Sequence, residues 1–405
     1  MSGFRTHLSN RAPKIGRFGG FLRSHLLLPA TSSPLAASRA ATYLPAFTGV
    51  RALAAYLVFL HHFNPFQHSA ALAPLAALVL EFHVGVPVFF VLSGFLITLR
   101  YGNAPLTQPR QWLRYLRNRF ARIYPIYFLL TLITYAVFWH RGIFYPTELV
   151  QSITLTQAFF DSTKYIGIAQ AWSLTVEECF YLCAPLAFWL LRKRLMPLWA
   201  QPFGLLALGC LLVLVCAPFY TPLQGLFGSW KFMLLFTFPG RCFEFYAGIQ
   251  LALLYQRGQL RRFRFRATWT LLGLGLMLAC VCGMVLIKGG YTYGQEHPLG
   301  VVLNNVALPG GILLFFAGLL TEETMLRRLL SSELLQVLGK SSYVFYLIHM
   351  GVLHDWLAAH VSANTGILFL LLNLLAILLH YGVEEPVSRW LRPAPEPAPT
   401  LSVPA

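Results

Sequence analysis

Two stretches of this chain of 405 residues place ionisable side chains inside apolar runs. The first, Phe47 to Phe66, carries Arg51 near one end and the adjacent histidines His61 and His62 near the other. An ionisable group in an apolar span is costly, so its presence indicates a functional site. On an α-helix Arg51 and His62 are separated by about 16 Å. This separation is about half of a ~30 Å hydrocarbon layer, so the two ionisable groups are expected at different depths of the membrane.

The second stretch, AWSLTVEECFYL, contains the adjacent carboxylates Glu177 and Glu178. Glu177 lies roughly 8 Å from the start of its predicted span, and His62 is expected at a comparable depth. A carboxylate can orient an imidazole, and such a pair can accept and return a proton. The pattern predicts an acid/base pair of His62 with one of the two glutamates. A structural ion pair between two helices is the alternative.

Arginines cluster where the third predicted span begins, in RQWLRYLRNRFARIYPIY. Arg119 and Arg122 are three residues apart in this segment, so both can present a guanidinium fork to phosphate. Binding of an anionic ligand explains the pair. Anchoring of the helix end at an anionic membrane surface explains it equally well, so both interpretations stay open.

Four further polar residues within predicted spans could support such a site. Ser93 lies in a small-residue step of FFVLSGFLI, where close helix packing is as strong an explanation as a role for its hydroxyl. Arg241 and Glu244, three residues apart, favour a structural salt bridge on one helix face. His349 is a histidine within an apolar run, and it can either complete one hydrogen bond or bind a ligand.

The composition indicates a membrane protein. Hydrophobic residues make up 57% of the chain and charged residues 11%, which excludes an ordinary soluble domain of this length. The net charge of +17 falls in short segments between apolar runs, which argues against nucleic acid as a partner. The seven cysteines lie in or beside apolar runs without metal-ligand spacing, so we expect no metal site.

The apolar runs predict an all-α polytopic membrane protein with about ten transmembrane helices. Lys and Arg concentrate in alternate loops, which predicts that both termini are cytosolic. Residues 1–45 are interpreted as a basic, disordered tail, with a mitochondrial transit peptide as the alternative. Residues 46–392 form the transmembrane domain, and 393–405 form a Pro-rich tail. The predicted spans are 47–66, 78–99, 123–139, 172–191, 203–220, 231–255, 268–287, 300–320, 335–357 and 364–383.

Taken in order, these stretches resemble the membrane-bound acyltransferase 3 family, whose members O-acylate carbohydrates at the bacterial cell surface. One mark is an arginine followed by ten residues and a histidine, which selects Arg51 and His62 rather than His61. Another is the R-x-x-R signature at Arg119 and Arg122. The remaining marks are FFVLSGFLI, WSLTVEECFYL, R-x-x-E-F from Arg241, the SYVFYLIH run that ends at His349, and the E-P at Glu385.

The resemblance implies that an acyl group, most simply acetyl, passes from cytosolic acyl-coenzyme A to a carbohydrate or glycolipid outside. It implies that His62 is the catalytic base or acyl relay and that Arg119 and Arg122 contact the phosphates of the donor. We expect Glu177 or Glu178 to orient His62, and Arg51 to line the path of the donor. No tightly bound cofactor is expected, and the expected location is the inner (plasma) membrane.

Two other functions use the same features. A proton-coupled secondary transporter of an anionic solute could employ intramembrane Arg, His and Glu, although such transporters commonly contain an internal repeat that this sequence does not show. A non-catalytic scaffold or sensor would leave His62 and the glutamates unexplained.

Overall fold

The computed structural model describes residues 44–392, with gaps at 105, 144, 223 and 263–266. The side chains of residues 261 and 262 fall outside the description as well. The predicted N-terminal tail, except for its last two residues, and the whole predicted C-terminal tail lie outside the described residues.

Helices dominate the part of the chain that the structure describes, and the single strand-like feature there is an isolated bridge between Phe160 and Leu226. The helical prediction is therefore confirmed. In a bilayer the backbone has no water to bond to, so apolar runs satisfy their own N–H and C=O groups as helices. The α-helices are α1 Pro45–His62, α2 Ala73–Leu80, α3 Gly85–Tyr101, α4 Pro109–His140, α5 Pro146–Ile153, α6 Trp172–Arg192, α7 Ala200–Cys216, α8 Trp230–Phe236, α9 Phe238–Gln256, α10 Thr268–Ile287, α11 Pro298–Val302, α12 Leu308–Thr321, α13 Met325–Leu330, α14 Glu333–Ile348, α15 Val352–His360, α16 Thr365–Leu379 and α17 Glu385–Leu391.

Seven helical segments among the described residues are long and apolar enough to cross a membrane. They coincide with seven of the ten predicted spans, so the protein is a multi-pass membrane protein. The segments are Ala70–Tyr101, Pro109–His140, Ala169–Arg192, Ala200–Phe219, Thr268–Ile287, Pro298–Thr321 and Thr365–Leu391.

The other three predicted spans are helical, but polar residues or breaks interrupt them. The first corresponds to α1, which contains Arg51 and two histidines. The predicted span 231–255 is two helices, α8 and α9, that break at the extended residue Thr237. The span 335–357 is α14 and α15, separated by residues 349–351, of which Gly351 precedes α15 with a φ of 89° that favours glycine. The total of ten spans therefore stays a prediction.

The break between α8 and α9 is stabilised by an amide from a distant segment. The side chain of Asn305 donates hydrogen bonds to the carbonyl oxygens of Leu234 (2.7 Å) and Gly240 (3.0 Å). Asn305 lies in a π-helical segment, Leu303–Ala307. An interrupted helix at membrane depth is tolerated when the protein itself pairs the freed backbone groups.

The interrupted helices lie inside the bundle. Helix α1 packs against α3 and α14, and α3 packs closely on α9. The α3–α9 contact depends on two glycines, because a Cβ atom at Gly94 would lie 2.1 Å from the carbonyl oxygen of Phe245. A Cβ at Gly248 would lie 2.0 Å from that of Val91. Small residues thus bring the two backbones together, as the SGFLI step predicts.

Candidate active site

A first cavity of about 70 Å³ lies among α1, α3, α4, α6 and α14. Arg51, Arg119, Arg122 and Glu177 all line it. The structure therefore brings together the three arginines that the sequence assigns to the donor, although they come from two helices far apart in the chain. We call this space the arginine cavity.

Positive charge predominates in the arginine cavity. Arg119 is 7% exposed, and its Nε has no hydrogen-bond partner among the described residues. Its guanidinium carbon lies 5.5 Å from the ring centroid of Tyr101 and 5.7 Å from that of Tyr181. In the described part of the chain, Arg51, Arg119 and Arg122 form no ion pair with a carboxylate. Unpaired guanidinium groups in a cavity suit an anion that carries phosphates.

The Glu177 carboxylate is held within the arginine cavity by two hydroxyl groups. Ser93 Oγ donates a hydrogen bond of 2.7 Å to Oε1, and the hydroxyl of Tyr181 donates one of 2.5 Å. Ser93 therefore connects α3 to α6 through its side chain. Packing at the neighbouring Gly94 and hydrogen bonding at Ser93 are both present.

Cations also crowd the chain just beyond the last span. Burial, followed by the charges of Arg122, Arg100 and Arg119, lowers the pKa of Arg392. Two of these neighbours line the arginine cavity. The crowding therefore extends from the cavity to the adjoining end of the helical bundle, and a bound anion would relieve it.

A second cavity of about 560 Å³ adjoins the first. His61, His62 and His83 line it, and we call it the imidazole cavity. Val86 and Tyr346 line both cavities, so the two spaces share a wall at these side chains.

Charges in the imidazole cavity are paired, unlike those in the arginine cavity. Lys231 Nζ lies 3.0 Å from Oε1 of Glu296, and Lys164 pairs with Asp161. Because each lining lysine has a carboxylate partner, this cavity suits a neutral polar molecule better than a phosphate. Aromatic side chains form much of the remaining wall, namely Tyr165, Trp172, Phe232, Phe236 and Tyr293.

The two adjacent histidines of α1 differ in availability. His61 is 9% exposed, and its Nδ1 lies 2.6 Å from the carbonyl oxygen of Leu80, so Nδ1 carries the hydrogen. His62 is exposed at the cavity wall, and its ring forms no hydrogen bond with the described residues. The ring centroids are 4.7 Å apart. Of the two, His62 has its ring nitrogens available for a substrate.

His349, predicted as a supporting residue, lies beside His62. Their ring centroids are 5.4 Å apart. His349 is fully buried, and its Nδ1 lies 2.7 Å from the carbonyl oxygen of Tyr346. Its Nε2 has no hydrogen-bond partner in the part of the chain that the structure describes. A fixed imidazole therefore lies against the exposed one.

The predicted pairing of His62 with Glu177 or Glu178 is wrong. Glu177 lies in the arginine cavity, bound by Ser93, whereas His62 lines the imidazole cavity. The helical segment begins at Ala169 rather than near 172, which places Glu177 about 12 Å from its start instead of ~8 Å. Depth also leaves the lateral direction of a side chain undetermined, and here the carboxylate turns toward α3.

Glu178 lines neither cavity, and its Oε1 is buried without a hydrogen-bond partner among the described residues.

The predicted salt bridge between Arg241 and Glu244 is confirmed. Their closest nitrogen–oxygen distance is 2.8 Å, and the side chains are 2% and 0% exposed. This pair is structural in position, because it lines neither cavity.

A carboxylate–histidine pair does exist at the imidazole cavity, which its histidine lines, but the sequence analysis missed it. Nε2 of His83 lies 2.9 Å from Oε2 of Glu81. Oε1 of Glu81 accepts a 2.7 Å hydrogen bond from the backbone N–H of Gly294. The available signal was the pair E-x-H at the start of an apolar span. Residues two apart do not share a face of an α-helix, but this segment turns as a 3₁₀-helix at Phe82–Val84.

The chain is similar to known proteins of one family. Residues 44–382 match the family described as an acyltransferase domain. The chain is 30% identical to the acyltransferase MdmB of Streptomyces mycarofaciens, over 88% of this chain and 96% of that protein. No solved structure matches the chain significantly.

Two further relatives are longer proteins. The peptidoglycan O-acetyltransferase OatA of Listeria monocytogenes is 26% identical over 77% of this chain and 49% of its own length. The O-acetyltransferase OatA of Staphylococcus aureus is 27% identical over 38% of this chain and 26% of its own length. The chain thus spans about half of the first protein and a quarter of the second.

Proposed function

The chain belongs to this acyltransferase family and is an acyltransferase, and we propose that it transfers an acyl group across the membrane. The donor in this proposal is cytosolic acyl-coenzyme A, with acetyl as the acyl group. The acceptor is a hydroxyl of an envelope polysaccharide or glycolipid. The proposed location is the inner (plasma) membrane, with about ten spans and both termini in the cytosol.

One observation carries the proposal: two cavities of different chemistry share a wall. The arginine cavity suits the phosphates of coenzyme A, and the imidazole cavity suits a neutral hydroxyl compound. Val86 and Tyr346 line both, so a thioester that extends from the first cavity can approach His62 at the second.

The proposed sidedness is supported by which loops meet. Near the arginine cavity, Arg192 donates a 2.7 Å hydrogen bond to the carbonyl of Ala104, and Arg117 donates one of 2.8 Å to that of Leu391. All four residues belong to segments that the distribution of Lys and Arg assigns to the cytosol.

Segments assigned to the outside meet near the imidazole cavity. The backbone N–H of Asp161 donates a 3.2 Å hydrogen bond to the carbonyl of Gly225, and Gly294 bonds to Glu81. The donor side and the acceptor side in this proposal thus correspond to the two groups of loops.

The proposed reaction uses His62 as general base. Its neutral ring takes the proton of the acceptor hydroxyl while the hydroxyl oxygen bonds to the carbonyl carbon of the thioester. The carbon–sulfur bond then breaks, and the imidazolium returns the proton to the thiolate, which leaves as coenzyme A. The protein ends the cycle in its starting protonation state.

Glu177 receives a different role from the one predicted. Its carboxylate accepts a hydrogen bond from the hydroxyl of Tyr181, and the ring of that tyrosine lies beside the Arg119 guanidinium. In this proposal Glu177 positions Tyr181 and Arg119 for the donor, and it does not act on His62.

The relatives support the choice of acetyl and of a glycan acceptor, because one is named for O-acetylation of peptidoglycan. That acceptor belongs to the relative, and for this chain it defines only a class. The alternative of a proton-coupled transporter gains no support from the family match or from the relatives.

The proposal is tested with the full chain in proteoliposomes or native membranes supplied with radiolabelled acetyl-CoA. We expect label in a glycan or glycolipid fraction that depends on the protein and disappears in His62→Ala. Solute uptake that does not depend on acetyl-CoA, with no label in any acceptor, would contradict the proposal and favour the transporter.

A further inference from the structure

Glu81 is a buried carboxylate bonded to His83, which lines the imidazole cavity. It is 0% exposed, and each of its oxygens has a partner: Gly294 N–H on Oε1 and His83 on Oε2. A buried carboxylate in an apolar span is costly unless its hydrogen bonds are complete. The hydrogen bonds of Glu81 are complete, and its partner His83 lines the imidazole cavity.

The carboxylate determines which nitrogen of His83 carries hydrogen. A carboxylate that already accepts a backbone N–H accepts from His83 as well, so Nε2 is protonated and Nδ1 holds a lone pair. Nδ1 forms no hydrogen bond with the described residues. A carboxylate partner also makes an imidazole a better hydrogen-bond acceptor at its other nitrogen.

His83 lies in the same cluster of rings as the proposed base. Its ring centroid is 5.5 Å from that of His61, which is 4.7 Å from that of His62. The ring centroid of Tyr293 lies 6.2 Å from that of His83 and 5.0 Å from that of His61. His83 and His62 therefore both line the imidazole cavity, and the ring centroid of each lies within 5.5 Å of that of His61.

We propose that His83, oriented by Glu81, is an acceptor-binding residue that accepts a hydrogen bond from a second hydroxyl group of the acceptor while His62 takes the proton of the first. The inference rests on the proposed function and narrows its acceptor to a compound with at least two hydroxyl groups. Glu81 is a positioning residue, because it acts through His83.

Glu81→Gln tests the orientation directly. Gln can still accept the N–H of Gly294 with its oxygen, but its NH₂ group then faces His83 and requires a lone pair on Nε2. The hydrogen moves to Nδ1, and His83 presents a donor to the cavity instead of an acceptor. Nitrogen NMR on histidine-labelled protein in nanodiscs reports this tautomer without any substrate. A wild-type Nδ1 that carries hydrogen would overturn the inference.

Activity is measured in native membranes with radiolabelled acetyl-CoA. We expect at least a tenfold lower maximal rate for Glu81→Gln and His83→Phe, with the apparent KM for acetyl-CoA unchanged. His83→Gln should stay within a few-fold of wild type, because its amide can donate to Glu81 and offer a carbonyl oxygen to the acceptor. The matched control is Glu322→Gln, which alters a buried carboxylate bonded to the backbone N–H groups of Trp269 and Thr270, away from both cavities.

Acetyl-CoA binding stoichiometry and thermal stability of each variant separate a positioning role from loss of folded protein. Equal losses in His83→Gln and His83→Phe would indicate packing only and would overturn the inference, as would wild-type activity in Glu81→Gln. If the wild type transfers acetyl while the variants give these results, the inference fails and the proposed function still holds. A wild type without acetyl transfer would overturn the proposed function, and with it this inference.

Discussion

The two cavities differ in how their charges are arranged. Among the described residues, the guanidinium groups that α1 and α4 contribute to the arginine cavity lack a carboxylate partner, whereas both lysines of the imidazole cavity have one. The first arrangement favours an anionic ligand, and the second leaves the imidazoles as the groups that can exchange a proton. The difference supports the proposal that donor and acceptor bind in separate cavities and react at their common wall.

Substitution of His62, the exposed imidazole next to that wall, is expected to have the largest effect on the transfer rate. Replacement by Ala removes the group that takes the hydroxyl proton, and general-base catalysis is worth about 10²–10⁴-fold. The transfer rate with radiolabelled acetyl-CoA should fall by that factor in proteoliposomes. His68, outside both cavities, is the control position, and its replacement by Ala should leave the rate unchanged. Equal activity of His62→Ala and wild type would contradict the proposal that the chemistry takes place in the imidazole cavity.

The Arg241–Glu244 pair provides a test of structure rather than chemistry. It lies between the two cavities, with its guanidinium 5.6 Å from the ring of Phe90 and 5.9 Å from that of Trp172. Arg241→Met should destabilise the protein by about 3–5 kcal/mol, because a buried carboxylate loses its partner.

Combining Arg241→Met with Glu244→Leu should restore most of that stability in a thermal unfolding assay. A double variant that stays fully folded but loses acyl transfer would show that the pair participates in the reaction.

The arginine cavity is tested by donor binding. Arg119→Gln and Arg122→Gln each remove a charged contact worth about 1.5–3 kcal/mol, so each should raise the Kd for acetyl-CoA by roughly tenfold to a hundredfold. The exposed Arg110 lies outside the cavity, and Arg110→Gln should leave the Kd unchanged. Similar losses at all three positions would indicate general attraction to a basic surface instead of a defined site.

The smallest effect is expected at Glu177. Because it contacts Ser93 and Tyr181 rather than His62, Glu177→Gln should lower the transfer rate by less than about tenfold. A loss as large as that of His62→Ala, measured in the same membranes, would mean that the two groups act together after all and would break the division into two cavities.

The sequence predicted features that depend on local composition and missed those that depend on lateral placement. Seven apolar spans and the salt bridge between Arg241 and Glu244 follow from hydropathy and from spacing along one helix. The convergence of Arg51 with Arg119 and Arg122 was found through the resemblance to a family. The partner of His62 was predicted from depth alone, and depth does not say which neighbour a side chain faces.

The interrupted helices show the same limit. The sequence reads 231–255 as one span, but the structure breaks it at Thr237, where an asparagine from another segment supplies the missing hydrogen bonds. Glu81 and His83 were missed because they meet in a 3₁₀ turn that periodicity does not reveal. Tertiary contacts determine both features, so a reading of local pattern could not find them.

Donor binding by the His62→Ala variant tests the separation of the two cavities most directly. Titration of the purified protein with acetyl-CoA, alongside the transfer assay, should give a wild-type Kd together with a transfer rate reduced at least a hundredfold. The Arg119→Gln, Arg122→Gln double variant should show the opposite pattern, in which acetyl-CoA binding is the property that is lost. If His62→Ala loses acetyl-CoA binding as severely as it loses transfer, donor binding and chemistry are not divided between the two cavities and the account is wrong.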